Sequence, residues 1–83
     1  MSKGKTQVFD FALSRLQQLF PNIDLEPLYG VGQIRIRVGD EAMWFLPVRK
    51  QARSKKQPWR DCDLGILTDL INKMISRQNA NLK

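Results

Sequence analysis

The run Gln33-Ile34-Arg35-Ile36-Arg37-Val38 constrains the fold of this chain more than any other segment. Apolar β-branched residues alternate strictly with polar ones, and a strand sends successive side chains to opposite faces. Ile34, Ile36 and Val38 therefore require a covered face, and Arg35 and Arg37 an open one. A helix would scatter both sets around its circumference. The chain must contain a sheet packed on one side and wet on the other, the usual condition of antiparallel pairing.

The residues after this run close a hairpin. Gly39-Asp40-Glu41 has turn chemistry, and Ala42 to Val48 supplies a returning strand. A loop of two or four residues sends Met43 and Phe45 inward with the isoleucines and sets Trp44 beside Arg35 and Arg37. A three-residue loop reverses this. The even loops are expected, because they fill the inner face without burying a charge in mid-strand.

Two amphipathic segments flank the hairpin. From Thr6 to Phe20, the residues Phe9, Ala12, Leu13, Leu16 and Phe20 fall on one helical stripe, with Thr6 as N-cap and Pro21 as terminator. Phe11 points away from that stripe, as a lone exposed aromatic or as a subunit contact. The second helix is capped by Asp61 or Asp63 and runs to about Gln78, with Leu64, Leu67, Ile71, Met74 and Ile75 buried. Asp69 and Lys73 have the spacing of an i, i+4 ion pair. Between the first helix and the hairpin, Ile23, Leu25 and Pro27 alternate with Asp24 and Glu26, which reads as a short edge strand because proline is excluded from sheet centres.

Arg49 to Arg60 is different in kind. Six of its twelve residues are basic, none is acidic, and Ala52, Pro58 and Trp59 are all it offers a core. Burial of so little apolar surface does not offset the entropy of ordering, so residues 49–60 are expected to form a mobile basic loop. The prediction is an α+β fold in a single domain spanning residues 1–83, of order α-(β)-β-β-α, with two helices on one face of a short antiparallel sheet and flexible ends at 1–5 and 79–83. At this length the core is thin, which leaves room for homodimerisation.

Charge is distributed unevenly. Gln33 to Arg60 contains eight basic residues and two acids, so it carries the whole formal net charge of +6 while the remainder of the chain balances. A neutral body with a cationic middle points to a directed surface and a polyanionic partner.

Catalysis finds little support. The chain has no histidine, which removes the usual zinc sites and every imidazole-based acid–base device, and a single cysteine, which excludes an intramolecular disulfide. Cys62 lies between Asp61 and Asp63, whose carboxylates oppose thiolate formation, so a buried structural role is expected. The chain is read as not an enzyme, with no catalytic residues, no metal and no cofactor. It lacks a signal-peptide pattern and any run near the roughly 18 apolar residues of a membrane span, so a cytoplasmic protein without a membrane partner is expected.

Nucleic-acid binding fits the residue types best. Lysines and arginines that neutralise phosphates release condensed counterions, and exposed tryptophans stack on bases. The candidate contacts are Arg35, Arg37, Trp44, Arg49, Lys50, Arg53, Lys55, Lys56, Trp59 and Arg60, with DNA or RNA undetermined. Trp59 has a second reading, as a staple packed on the second helix. The competing class is a small non-catalytic interaction module, an inhibitor or adaptor whose basic, tryptophan-bearing face meets an acidic protein, since Trp and Arg also dominate protein hot spots.

The α–β–β–β–α order is similar to that of double-stranded-RNA-binding domains, and Arg49-Lys50-Gln51-Ala52-Arg53 resembles their basic Lys-Lys-x-Ala-Lys motif with arginines substituted. In that family the motif opens the second helix. Here Ser54 to Pro58 intervene, and the Gly-Pro-x-His loop of the family has no counterpart.

Overall fold

A computed structural model describes residues 2–55 and 57–81, with side chains for 7–55 and 57–80. The elements in chain order are α1 (Ser2–Leu19), β1 (Asp24–Leu28), a 3-10 turn at Tyr29–Val31, β2 (Gln33–Val38), β3 (Glu41–Leu46), β4 (Gln51–Ser54), β5 (Arg60–Asp61) and α2 (Leu64–Asn81). The five strands form one antiparallel meander in the order β1-β2-β3-β4-β5. Both helices pack on the same face, so the fold is α+β with two helices over one sheet.

The alternating run sits where its pattern requires. Ile34 and Ile36 of β2 are fully buried and Val38 nearly so, while Arg35 and Arg37 face away from the helices. Val38 pairs with Glu41, so the β2–β3 loop is the two residues Gly39 and Asp40. Gly39 has φ = 60°, the positive value demanded at the first position of the primed hairpin turns. This loop sets the even register: Met43 opposes Ile36, Phe45 opposes Ile34, and both enter the core. Leu16 of α1 and Leu67 and Ile71 of α2 close over these strands without residual exposure.

β1 is the expected edge strand with Pro27 in it, and its partners run from Asp24 opposite Arg37 to Leu28 opposite Gln33. At the head of α2 the cap is Asp63, whose Oδ1 accepts a hydrogen bond from the Ile66 amide at 2.9 Å.

Several expectations are corrected. The segment expected to be a mobile loop over 49–60 instead builds two strands: β4 pairs with β3 over four residues, and β5 adds Arg60 and Asp61 to its outer edge. The chain gains this order from backbone pairing to an already buried neighbour, with Ala52 seated against Phe45, and not from apolar side chains of its own. Charges on an outermost strand also suit an edge, where they discourage further pairing. Consequently the basic run 49–53 lies in the β3–β4 connection and in β4, not at the start of a helix, and the sheet has five strands. The likeness to the double-stranded-RNA-binding arrangement does not extend to this region.

α1 begins at Ser2, so Thr6 lies inside the helix instead of capping it. Once a helix is nucleated each further residue adds one hydrogen bond, and no proline in Ser2–Gln7 stops that extension. α2 likewise continues to Asn81, beyond the end expected at Gln78. Among the described residues the ion pairs are Arg35–Glu26 and Arg77–Glu41, and the Asp69–Lys73 pair is not closed. No described helix is long and apolar enough to cross a membrane.

Candidate nucleic-acid interface

Cross-strand partners share a face, so the register assigns the helix-free surface of the sheet residue by residue. One row crosses four strands: Glu26, Arg35, Trp44 and Arg53. A second holds Asp24, Arg37 and Ala42. Gln33 pairs with Leu28 at the opposite end, and Gln51 with Leu46 and Asp61.

The middle of this surface is an aromatic and guanidinium cluster. The Arg53 Cζ lies 5.4 Å from the Trp44 ring centroid and 5.7 Å from that of Trp59. Trp59 belongs to the connection before β5 and folds back over the open face, so it is not a staple on α2. Gln33, Trp44, Arg53 and Trp59 line a shallow depression of about 320 Å³. Both indoles are half-buried, which leaves ring surface available for stacking. Cation–π contact with two rings restrains a guanidinium that has no carboxylate within ion-pair range among the described residues.

The electrostatics differ from the linear tally. Arg35 is not a free cation, because Glu26 across the β1–β2 ladder holds its guanidinium. Asp24 stands opposite Arg37 in the ladder without closing an ion pair with it, and Asp61 faces outward beside Gln51. The open face therefore interleaves Arg35, Arg37 and Arg53 with Asp24, Glu26 and Asp61. Acids distant in sequence become neighbours by strand pairing, and charge arithmetic along the chain does not register them.

The remaining candidates fall at the margins. Arg49 and Lys50 belong to the four-residue connection between β3 and β4, at the end of the sheet that carries Gln33. Arg49 borders a groove with Phe9, Tyr29, Val31 and Val48. Lys50 has φ = 55°, and its carbonyl accepts from the Cys62 amide at 2.8 Å, which ties β5 to the connection. Lys55 follows β4 at the opposite end, near Ala42 and Met43. Lys56 lies outside the described residues. Arg60 does not join the group: it pairs with the core residue Ala52 and so belongs to the helix-covered face.

The fold thus brings Arg35, Trp44, Arg53 and Trp59 together, sets Arg37, Arg49, Lys50 and Lys55 around them, and separates Arg60. Gln33, Glu26 and Asp24 enter the surface although the sequence pattern does not single them out. The signal for Gln33 is its place two residues before Arg35 on the same strand face. Cys62, the single cysteine of the chain, is 2% exposed. Burial foremost, with the Asp63 carboxylate adding to it, pushes its thiol up to about 11, the opposite of an activated cysteine. No protein-family model, no curated protein and no solved structure matches this chain.

Proposed function

We propose that the chain binds single-stranded nucleic acid on the open face of its sheet. The observation that carries this reading is the in-register Arg35–Trp44–Arg53 row, with Trp59 folded onto Arg53. A flat face bearing two accessible indoles provides a stacking platform, and the guanidiniums beside it provide phosphate contacts. A duplex hides its bases from such a platform, so single strands are the favoured form. Arg37, Arg49, Lys50 and Lys55 extend the cationic margin along which a backbone would run. The interleaved acids weaken nonspecific attraction and give the central row, more than bulk charge, the task of holding the strand.

The test uses the intrinsic fluorescence of Trp44 and Trp59, the two tryptophans of the chain. Titration with 12-nucleotide single-stranded DNA and RNA should quench emission saturably, and the matching duplexes should do so much less. Trp44→Ala should weaken single-strand binding by about tenfold, in line with roughly 1–3 kcal/mol per stacked base. Unchanged emission and no binding at low salt would overturn the reading. Binding to an acidic protein segment with no response to oligonucleotides would replace it with the interaction-module alternative.

A further inference from the structure

The opposite face of the sheet is incompletely filled at the β4 edge. Two inward rows run across the strands, Ile34–Phe45–Ala52–Arg60 and Ile36–Met43–Ser54. Their side chains are large over β2 and β3 and small at β4, where Ala52 and Ser54 face inward. Above them α2 presents Ile66, Leu70 and Met74, spaced by four residues on one helical stripe. Ile66 remains 49% exposed, because no side chain rises from β4 to meet it. The result is a groove of about 270 Å³ between α2 and β4, with an apolar floor and the exposed Arg60 at its rim.

The charge at that rim has one sign available for a ligand. Glu41 also borders the groove, but its carboxylate is occupied by Arg77 at 2.7 and 3.1 Å and by the Gln78 amide at 3.3 Å. Asp61 borders it as well, yet its register with Gln51 turns its side chain to the other face of the sheet. Arg60 closes no ion pair among the described residues. An apolar slot with a free guanidinium at its mouth and the Ser54 hydroxyl nearby is complementary to an anion with a hydrophobic body.

We propose that this groove binds a small amphipathic carboxylate, its chain or ring lying between Ile66, Leu70 and Ala52 and its carboxylate accepting hydrogen bonds from Arg60. The site is on the face opposite the tryptophans and does not depend on the nucleic-acid reading. The groove volume suits a body of about eight carbons, and it lies just under the roughly 300 Å³ at which ligand pockets usually begin.

Sodium octanoate and the neutral 1-octanol are the probes, followed by amide shifts in the intact protein. Octanoate should move Ala52, Cys62, Ile66 and Leu70 saturably below its micellar concentration. Arg60→Gln should weaken octanoate roughly five- to tenfold through loss of a charge-assisted hydrogen bond, and leave 1-octanol unchanged. Ala52→Leu should block both ligands by filling the slot. Ile66→Glu, at a half-exposed position that spares the core, should do the same if the first variant fails to fold. Absence of saturable shifts at these amides would overturn the proposal. So would equal octanoate binding by Arg60→Gln, or shifts confined to Gln33, Trp44 and Trp59 on the other face. Trp44→Ala should leave octanoate binding intact, so this site and the nucleic-acid surface can fail independently.

Discussion

The Arg77 guanidinium grips both carboxylate oxygens of Glu41, Nη2 donating to Oε1 at 2.7 Å and Nε to Oε2 at 3.1 Å, across 36 residues of sequence. This fork joins the C-terminal half of α2 to the first residue of β3, and Gln78 reinforces it from the next position of the helix. It locks the helix axis against the hairpin tip, where the strand register is set. Bidentate geometry makes it the best-formed polar link between helix and sheet among the described residues.

Acid should release that link. Hydrogen bonds from Arg77, foremost, hold the Glu41 carboxyl below its ordinary value of 4.5; the Gln78 amide acts in the same direction, and partial desolvation opposes both. A carboxyl whose folded pKa is depressed contributes stability that is fully present above the unfolded value and is lost as pH falls through the folded one. Glu41→Gln should therefore lower the thermal midpoint modestly at pH 7, and the gap to the parent should close as pH drops below about 4.5. Both partners are partly solvated, so the gap should also shrink in high salt. A gap that is constant from pH 7 to pH 3 would show that the carboxylate charge is not what stabilises the contact.

Leu67→Ala tests the packing beneath it. Leu67, Leu16, Ile36 and Ile71 are all without exposure and belong to one cluster, so the substitution leaves a cavity that neighbours from three elements cannot readily fill. A loss of about 2–5 kcal/mol is expected in chemical denaturation. A loss under about 1 kcal/mol would mean that α2 is not seated on the sheet through this residue.

The difference between legible and illegible elements has a physical cause. β2 is readable because Ile34, Ile36 and Val38 state their own burial, and β3 is readable with it because one even loop fixes its parity. The helical stripes are equally direct, from Phe9 to Phe20 and from Leu67 to Met74. β4 and β5 are not readable, since Ala52 is their one fully apolar contribution to the core and their stability resides in ladder bonds to β3. The alternation makes neighbours of Trp44 and Arg35 but gives no sign of Glu26, because pairing with β1 depends on a register that neither segment encodes locally. Arg60 falls in the wrong company for the same reason: a loop has no faces, whereas a strand position has one.

Hydrogen exchange distinguishes the loop from the strand. Amides of β4 that bond to β3 should exchange far more slowly than Lys55, which lies beyond the ladder, and somewhat faster than those of the central strands β2 and β3. Exchange of β4 at the rate of Lys55 would restore the mobile-loop description and remove Arg53 from its fixed place beside Trp44.

The Arg35–Glu26 pair makes a prediction of opposite sign to most substitutions at a binding surface. If phosphates compete with Glu26 for Arg35, the acid is an internal competitor, and removing it should improve binding. Glu26→Gln keeps the size and shape of the side chain, removes one negative charge from the open face and exchanges one acceptor oxygen for an amide donor, which loosens its hold on the guanidinium. Affinity for a 12-nucleotide single strand should rise by several fold at low salt. The slope of log affinity against log salt should steepen by roughly 0.7, since one more phosphate is neutralised on a single strand. Because Glu26 holds Arg35 in the parent, Arg35→Gln alone should leave the slope near the parent's, and adding it to Glu26→Gln should cancel the steepening. Arg35→Glu is the poorer probe, because it sets two carboxylates opposite each other on β1 and β2 and disturbs the ladder itself. If Glu26→Gln binds with unchanged affinity and unchanged salt slope while Trp44→Ala still weakens binding, Arg35 is a structural member of the sheet and the strand runs over Arg53 and the tryptophans alone.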